Sequence, residues 1–434
     1  MLSRDEESAT LKRVSLRLLP LLFGLYLMAF LDRVNVGIAA LQMNGDLKFS
    51  PAVYGFGAGI FFLGYALFEV PSNLILARVG ARRWLARIAI SWGLLTCAMM
   101  FVRTPIQFYC ARLLLGVAEA GLYPGVIYYL GRWFPDNHRG RALSVFFAAT
   151  PLAGVVGGPL GGTLLGVNGV LGLAGWQWVF LVEGLPSVVL GALALVYLTE
   201  RPTDAKWLSA PQRAWLTERI GNEHRRSGVM GISPLRALGK PLVWLLALPY
   251  FAFYTLAMAY SFWVPTIVRE SLHTSYAKTG LVTGTIALVA AATYPLGGVL
   301  SDRSGERCRT AALALLLSAA GCLACGLLVN SPLRILALVT TALAAGFYLP
   351  SFWCLPTRFL NGPSAAAGIA LINAVGSCGG FFGPSIIGFF RTLGGGDAAG
   401  FYALAGLGLL GAAVCAGLRF TRTFRPGIEL PSAV

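Results

Sequence analysis

The chain has 434 residues, 56% of them hydrophobic and 12% charged, with a mean hydropathy of +0.71 and a formal charge of +16. That composition excludes an ordinary water-soluble domain and describes an integral membrane protein. The positive charge does not call for nucleic acid: alternate assignment of the loops puts twenty-six Lys and Arg on one side, six on the other, and Arg33 and Arg112 in the interior, which is the positive-inside distribution.

A membrane helix needs about 20 mostly apolar residues. Twelve such runs can be placed, at 17–40, 57–77, 84–102, 106–131, 142–166, 177–198, 242–265, 279–300, 310–329, 333–356, 365–390 and 399–418. The expected architecture is therefore all-α, with a first six-helix bundle over 1–198, a linker over 199–240 and a second six-helix bundle over 241–434. The charge bias puts both termini and the linker in the cytoplasm. The start, MLSRDEESATLKR, is polar and acid-containing, with no cleavage-site pattern after the first apolar run, so no removable signal peptide is expected.

In the first run, YLMAFLDRVN over Tyr26–Asn35 sets Asp32 and Arg33 inside apolar sequence. A charge near the centre of a membrane helix costs about 2.5–3.5 kcal/mol on insertion scales, so such residues face polar interiors and carry function. The second run is rich in glycine and aromatics, with Gly55, Gly59 and Tyr65 among them, as suits close helix contacts beside a cavity; it ends in the basic turn NLILARVGARRW. Glu69 lies near its end beside Pro71, a place for helix packing or gating. In the fourth run Arg112 and Glu119 are seven positions apart, hence on one helix face and roughly 10 Å apart along the axis. Two acids and two guanidinium groups are thus expected at one membrane cavity. GVVGGPLGGTLL over 154–165 lets backbones approach and bends at Pro159, and GWQWVFLVEGLP over 175–186 embeds Glu183, read as a packing or gating residue.

The linker carries Trp207–Leu208 and Trp215–Leu216 on a polar background, which predicts short amphipathic helices along the inner membrane face. Beyond it the first half repeats. A shift of 225 residues lays ARVGARR at 77–83 on DRSGERC at 302–308, and Gly158–Pro159 on Gly383–Pro384. The charges are not repeated: Asp32, Arg33, Arg112 and Glu119 fall on Ala257, Met258, Ala337 and Ala344. The second half must contribute polar and aromatic contacts, for which Tyr254, Tyr260, Trp263, Trp353, Asn373 and Ser377 are the candidates. Cys322 and Cys325 form the sole CxxC and read as packing residues in an apolar helix; no metal site or cofactor motif is visible, so an enzyme is not expected.

LDRVN in the first run, RLLLGVAEAG in the fourth, GWQWVFLVEGLP in the sixth and INAVGSCGGFFGP in the eleventh resemble the major facilitator superfamily, and within it the anion:cation symporter family. The basic loops resemble that family's inner loops, with Ala77 where an aspartate is usual. The resemblance covers nearly the whole chain. It implies two six-helix bundles in a bacterial inner membrane, a monomer, and a symporter that imports a small organic carboxylate such as tartrate, a sugar acid or an aromatic acid together with protons. It also implies that Asp32 and Glu119 titrate, that Arg33 and Arg112 form the cationic side of the site, and that Tyr65, Asn373 and Trp353 line the cavity. An exchanger of organic anions or organic phosphates is the alternative reading; related phosphate exchangers place one arginine in each half, whereas here Met258 stands opposite Arg33.

Overall fold

A computed structural model describes residues 3–226, 239, 241–304, 306–329, 331–356, 363–394 and 396–421. The helices before the linker are α1 (Arg4–Asp46), α2 (Pro51–Val79), α3 (Ala81–Ala98), α4 (Pro105–Glu119), α5 (Leu122–Gly131), α6 (Asp136–Phe147), α7 (Ala149–Leu165) and α8 (Gly175–Tyr197). The linker holds α9 (Ala210–Arg226). After it come α10 (Pro241–Leu272), α11 (Tyr276–Ser304), α12 (Arg307–Leu327), α13 (Arg334–Phe352), α14 (Pro363–Thr392) and α15 (Gly396–Leu418). Twelve stretches among the described residues are long and apolar enough to cross a membrane, one for each run expected from sequence. The chain is an all-α multi-pass membrane protein.

Local chemistry sets the helix ends. Ser3 and Glu6 form a reciprocal capping box on α1, Ser50 caps α2 ahead of Pro51, and Thr104 with Gln107 caps α4 ahead of Pro105. Between α2 and α3 the chain turns at Gly80, whose φ of +98° favours glycine. There the Glu200 carboxylate accepts from the amides of Ala81 and Arg82, both at 2.9 Å, and so supplies negative charge to the start of α3.

Among the described residues two spans are broken. The fourth divides at Ala120–Gly121, where Gly121 takes a left-handed φ of +91° and a side chain would run into Ser72. Ser72 holds the break by donating to the Ala120 carbonyl at 2.6 Å. The fifth divides at Ala148.

The linker departs from expectation. Leu208, Leu216 and Ile220 are buried, and the Trp207 ring stacks on Trp133 at 5.5 Å while its Nε1 donates to Thr199. The apolar side of this segment covers the first half of the protein rather than lying in lipid, because Trp133 and Thr199 offer it both an aromatic surface and a hydrogen-bond acceptor.

The halves meet along two seams at the face away from the N-terminal end of α1. In one, α7 meets α11: a Cβ on Gly158 would stand 2.5 Å from the Gly280 carbonyl oxygen. In the other, α2 meets α14, where a Cβ on Gly55 would stand 2.5 Å from the Pro384 oxygen. The internal repeat explains the pairing, since the shift that carries Gly158–Pro159 onto Gly383–Pro384 also carries Gly55 and Gly59 onto Gly280 and Gly284. Hydrogen bonds add to the closure: the Tyr54 hydroxyl donates to the Phe262 carbonyl at 2.8 Å, and the Ala52 amide donates to Thr392 Oγ1 at 2.9 Å.

The same face holds an ion cluster that no pattern in the sequence indicated. Arg334, 1% exposed, donates to Asp397 at 2.8 Å; Asp397 also binds Arg391, which reaches Glu270 at 2.5 Å and lies over the Trp263 ring. The cluster lines an open cavity of about 1060 Å³.

Two outcomes follow. Gly158→Leu wedges the α7–α11 seam; overpacking costs about 1–3 kcal/mol, which corresponds to at least about a fivefold shift in a two-state equilibrium. In a background lacking the exposed Cys110, labelling of a cysteine placed at Ser261 in the central cavity, by an impermeant thiol reagent applied from the closed face, should rise by that factor. Asp397→Ala strips Arg334 of its acid, and breaking a buried pair in this way is expected to destabilise by about 3–5 kcal/mol, measurable as a lowered Tm in detergent.

Candidate functional site

Helix α1 presents two chemistries on two sides. Successive residues on a helix point about 100° apart, so Asp32 and Arg33 cannot share a face. Arg33 turns to α4, where its Nη2 donates to Glu119 at 2.5 Å; the arginine side chain is 15% exposed and the glutamate 1%. Around the guanidinium stand the rings of Phe30, Tyr65 and Phe61, at 4.9, 5.1 and 5.5 Å. Glu119 is the last residue of α4, just before the break at Gly121. A carboxylate at a helix C-terminus meets the negative end of the helix dipole, and the guanidinium of Arg33 offsets both that and the desolvation.

Arg112 lies behind this pair. It is fully buried, donates from Nε and Nη2 to the carbonyls of Gly57 and Ala58 at 3.4 and 3.2 Å, and lies 4.8 Å from the Phe61 ring. Both guanidinium groups therefore lie close to the Phe61 ring. Arg112 secures α2 to α4 and acts on the cavity as buried positive charge.

Asp32 is the departure from the four-group cavity expected above. Its Oδ2 accepts from Trp92 Nε1 at 2.6 Å and Thr96 Oγ1 at 2.9 Å, both on α3, and it is 4% exposed. One turn on, Asn35 Nδ2 donates to Glu183 of α8. The structure thus brings Arg33, Glu119 and Arg112 together and sets Asp32 inside the first half. The physical reason is helical: side chains of adjacent residues point about 100° apart, so Asp32 and Arg33 meet different neighbours.

Arg33 borders a cavity of about 220 Å³ between α1, α7, α10 and α11, with Thr150, Met258, Tyr260 and Ser261 among its lining residues. Tyr65 is buried beside Arg33. In the second half, Tyr254 meets the Phe62 ring at 6.0 Å. Asn373 and Trp353 gather on Tyr250, whose hydroxyl donates to Asn373 Oδ1 at 3.5 Å and whose ring lies 4.9 Å from Trp353 and 6.0 Å from Tyr254. Tyr250 is the member that sequence reasoning missed. The signal was present, since Tyr250 and Tyr254 are four residues apart and so lie on one helix face. Tyr26 and Tyr123, 6.1 Å apart, were passed over in the same way, although Tyr26 opens the YLMAFLDRVN stretch and Tyr123 lies two residues after RLLLGVAEAG.

Comparison with known proteins identifies the family. The Major Facilitator Superfamily model matches residues 22–277 and 246–433. A protein of Agrobacterium vitis named for tartrate transport is 46% identical over 418 residues, covering 95% of each chain. The quinolone resistance transporter of Acinetobacter baumannii is 40% identical, covering 94% of each, and the inner membrane transport protein RhmT of Escherichia coli 37%, covering 96% of each. Among solved structures, a bacterial homologue of the human lysosomal transporter Spinster superposes with a TM-score of 0.77 at 19% identity, covering 95% of this chain and 98% of that one. A D-xylose-proton symporter superposes at 0.71 with 15% identity, covering 92% and 96%. These two share the fold. With both halves matched by the family and relatives aligned over nearly the whole length, the chain belongs to the Major Facilitator Superfamily, a family of membrane transporters rather than enzymes.

Proposed function

We propose that the protein is a proton-coupled symporter that imports a small organic carboxylate, a tartrate-like hydroxy acid, sugar acid or aromatic acid, across the bacterial inner membrane. The observation that carries this reading is the Arg33–Glu119 pair at 2.5 Å on the border of the central cavity. A guanidinium is the fitting partner for a carboxylate because its planar fork gives two parallel charge-assisted hydrogen bonds. In the resting pair Glu119 occupies that fork. A proton on Glu119 weakens its hold and releases Arg33 to the substrate anion, while Arg112 supports the negative charge from behind Phe61. Tyr65 and Tyr254 flank the anion, and Asn373 and Trp353, held by Tyr250, read the remainder of the molecule. Asp32 takes part as a second proton acceptor, reached from within the first half.

The cycle follows from charge. An empty cavity with ionised Glu119 is internally paired, and a loaded cavity with protonated Glu119 and bound carboxylate is again paired; the intermediate states carry an unmatched charge in low dielectric and are disfavoured. Access alternates as the halves 1–198 and 241–434, joined by 199–240, rock about the site. With the termini cytoplasmic, the seams at Gly55 and Gly158 close the outer face, so the present conformation opens inward. The names of the relatives support a carboxylate cargo, with tartrate the nearest guide to its size.

In proteoliposomes, labelled tartrate should accumulate when the outside is made acidic and equilibrate without accumulation when the gradient is collapsed. Uptake that ignores the gradient would refute proton coupling. Glu119→Gln should lose gradient-driven accumulation yet retain some exchange of substrate across the membrane. Arg33→Lys keeps the charge but not the fork; a charge-assisted hydrogen bond is worth about 1.5–3 kcal/mol, so the apparent KM should rise roughly tenfold or more.

A further inference from the structure

The symport mechanism above leaves one buried acid without a task. Glu183 on α8 is 2% exposed, and Asn35 Nδ2 donates to its Oε2. Asn35, one turn from Asp32 on α1, is 1% exposed, and its own oxygen lies toward Gly157 of α7. The site is sealed where α3 and α8 approach at Gly93 and Gly184. Around it the elements contribute few ionisable groups. From α3 come Trp92 and Thr96, which bind Asp32, and the thiol of Cys97 against Gly184. From α4 come Arg112 and Glu119, which act on Asp32 at longer range, with Arg112 engaged by the Gly57 and Ala58 carbonyls and Glu119 by Arg33. The α7 side offers Gly157. The charged neighbour of Glu183 is Asp32 itself.

Two buried carboxyl groups therefore act on each other inside the first half, and neither forms an ion pair with a guanidinium or ammonium among the described residues. Three oxygens there, Asp32 Oδ1, Asn35 Oδ1 and Glu183 Oε1, are buried and accept no hydrogen bond. All three are acceptors, so what the site lacks is a donor. A carboxylate that served only to stitch helices together would have its oxygens satisfied, because a buried charge without partners is neutralised or expelled. The ligand that supplies a donor and removes a charge at once is a proton.

We propose that Asp32 and Glu183, the latter held by Asn35 one turn along α1 from Asp32, form a second proton-binding site within the first half, which the transport cycle loads and releases without contact with the substrate. The inference rests on the symport reading and extends it: Glu119 is the proton site that competes for Arg33, whereas Glu183 and Asp32 hold a proton that the anion never meets. Loading forms one carboxyl O–H bond with a proton from the outer solution, and release returns that proton to the inner solution. No other bond changes. Because Asp32 adjoins Arg33 on α1, a change in the buried site reaches the cavity through one helix.

The test uses the purified full-length protein and two readouts. Infrared difference spectra of the wild type, taken as pH is stepped, should contain a titrating protonated-carboxyl C=O band that disappears in Glu183→Gln and is displaced in Asp32→Asn while persisting in Glu119→Gln. In proteoliposomes, the proton-to-tartrate ratio from reversal potentials should fall by one in Glu183→Gln, in a carrier that still exchanges substrate. A band unchanged by Glu183→Gln overturns the site, and an unchanged ratio overturns its part in the cycle. If the wild type shows no gradient-driven accumulation, the symport reading fails; the Glu183-dependent band then still supports a stored proton, and its absence removes the site as well.

Discussion

A single short ion pair, Arg33 to Glu119, organises the first half of this transporter. Bringing a guanidinium and a carboxylate into the membrane interior is tolerable only if each meets the other in good geometry. That requirement fixes the rotation of α1, the end of α4 and the placement of Phe61 beside both arginines. The break at Gly121 is part of the same solution. It stops α4 at Glu119, and Ser72 takes up the carbonyl that the break leaves free. Irregular backbone at membrane depth is stable only where protein groups satisfy it.

The two halves divide the labour unequally. The first contributes the charges beside the central cavity; the second contributes an aromatic group centred on Tyr250 and, at the closed face, the Arg334–Asp397–Arg391 cluster. The repeat therefore conserves shape while the chemistry differs. Both seams descend from one pair of glycine positions, used once in α2 against α14 and once in α11 against α7.

Much of this was legible in the sequence. Twelve spans followed from hydropathy alone, and Arg33, Arg112 and Glu119 were found because charge in apolar sequence is conspicuous. The 225-residue shift was visible at two landmarks, yet its extension to Gly55 and Gly280 was not drawn, since glycines in a glycine-rich chain carry little contrast. The partition of Asp32 from Arg33 was missed for a different reason: treating a neighbouring acid and base as a unit overlooks the rotation between consecutive helical residues. Glu183 was read as a packing or gating residue, and its contact with Asn35 was not foreseen because the two are 148 positions apart and no local pattern reports such a distance. The linker's tryptophans were assigned to lipid because amphipathic sequence does not say whether its apolar side meets acyl chains or protein.

The glycine seams have a mechanical consequence. A joint in which bare backbone lies against bare backbone covers little hydrocarbon, and the free energy of parting two surfaces scales with the apolar area uncovered. Such a closure can be tight in geometry and weak in adhesion. The work of opening then falls on the rings that meet across the halves beside those glycines, Phe56 with Phe381 and Tyr54 with Trp263, and on the polar latches.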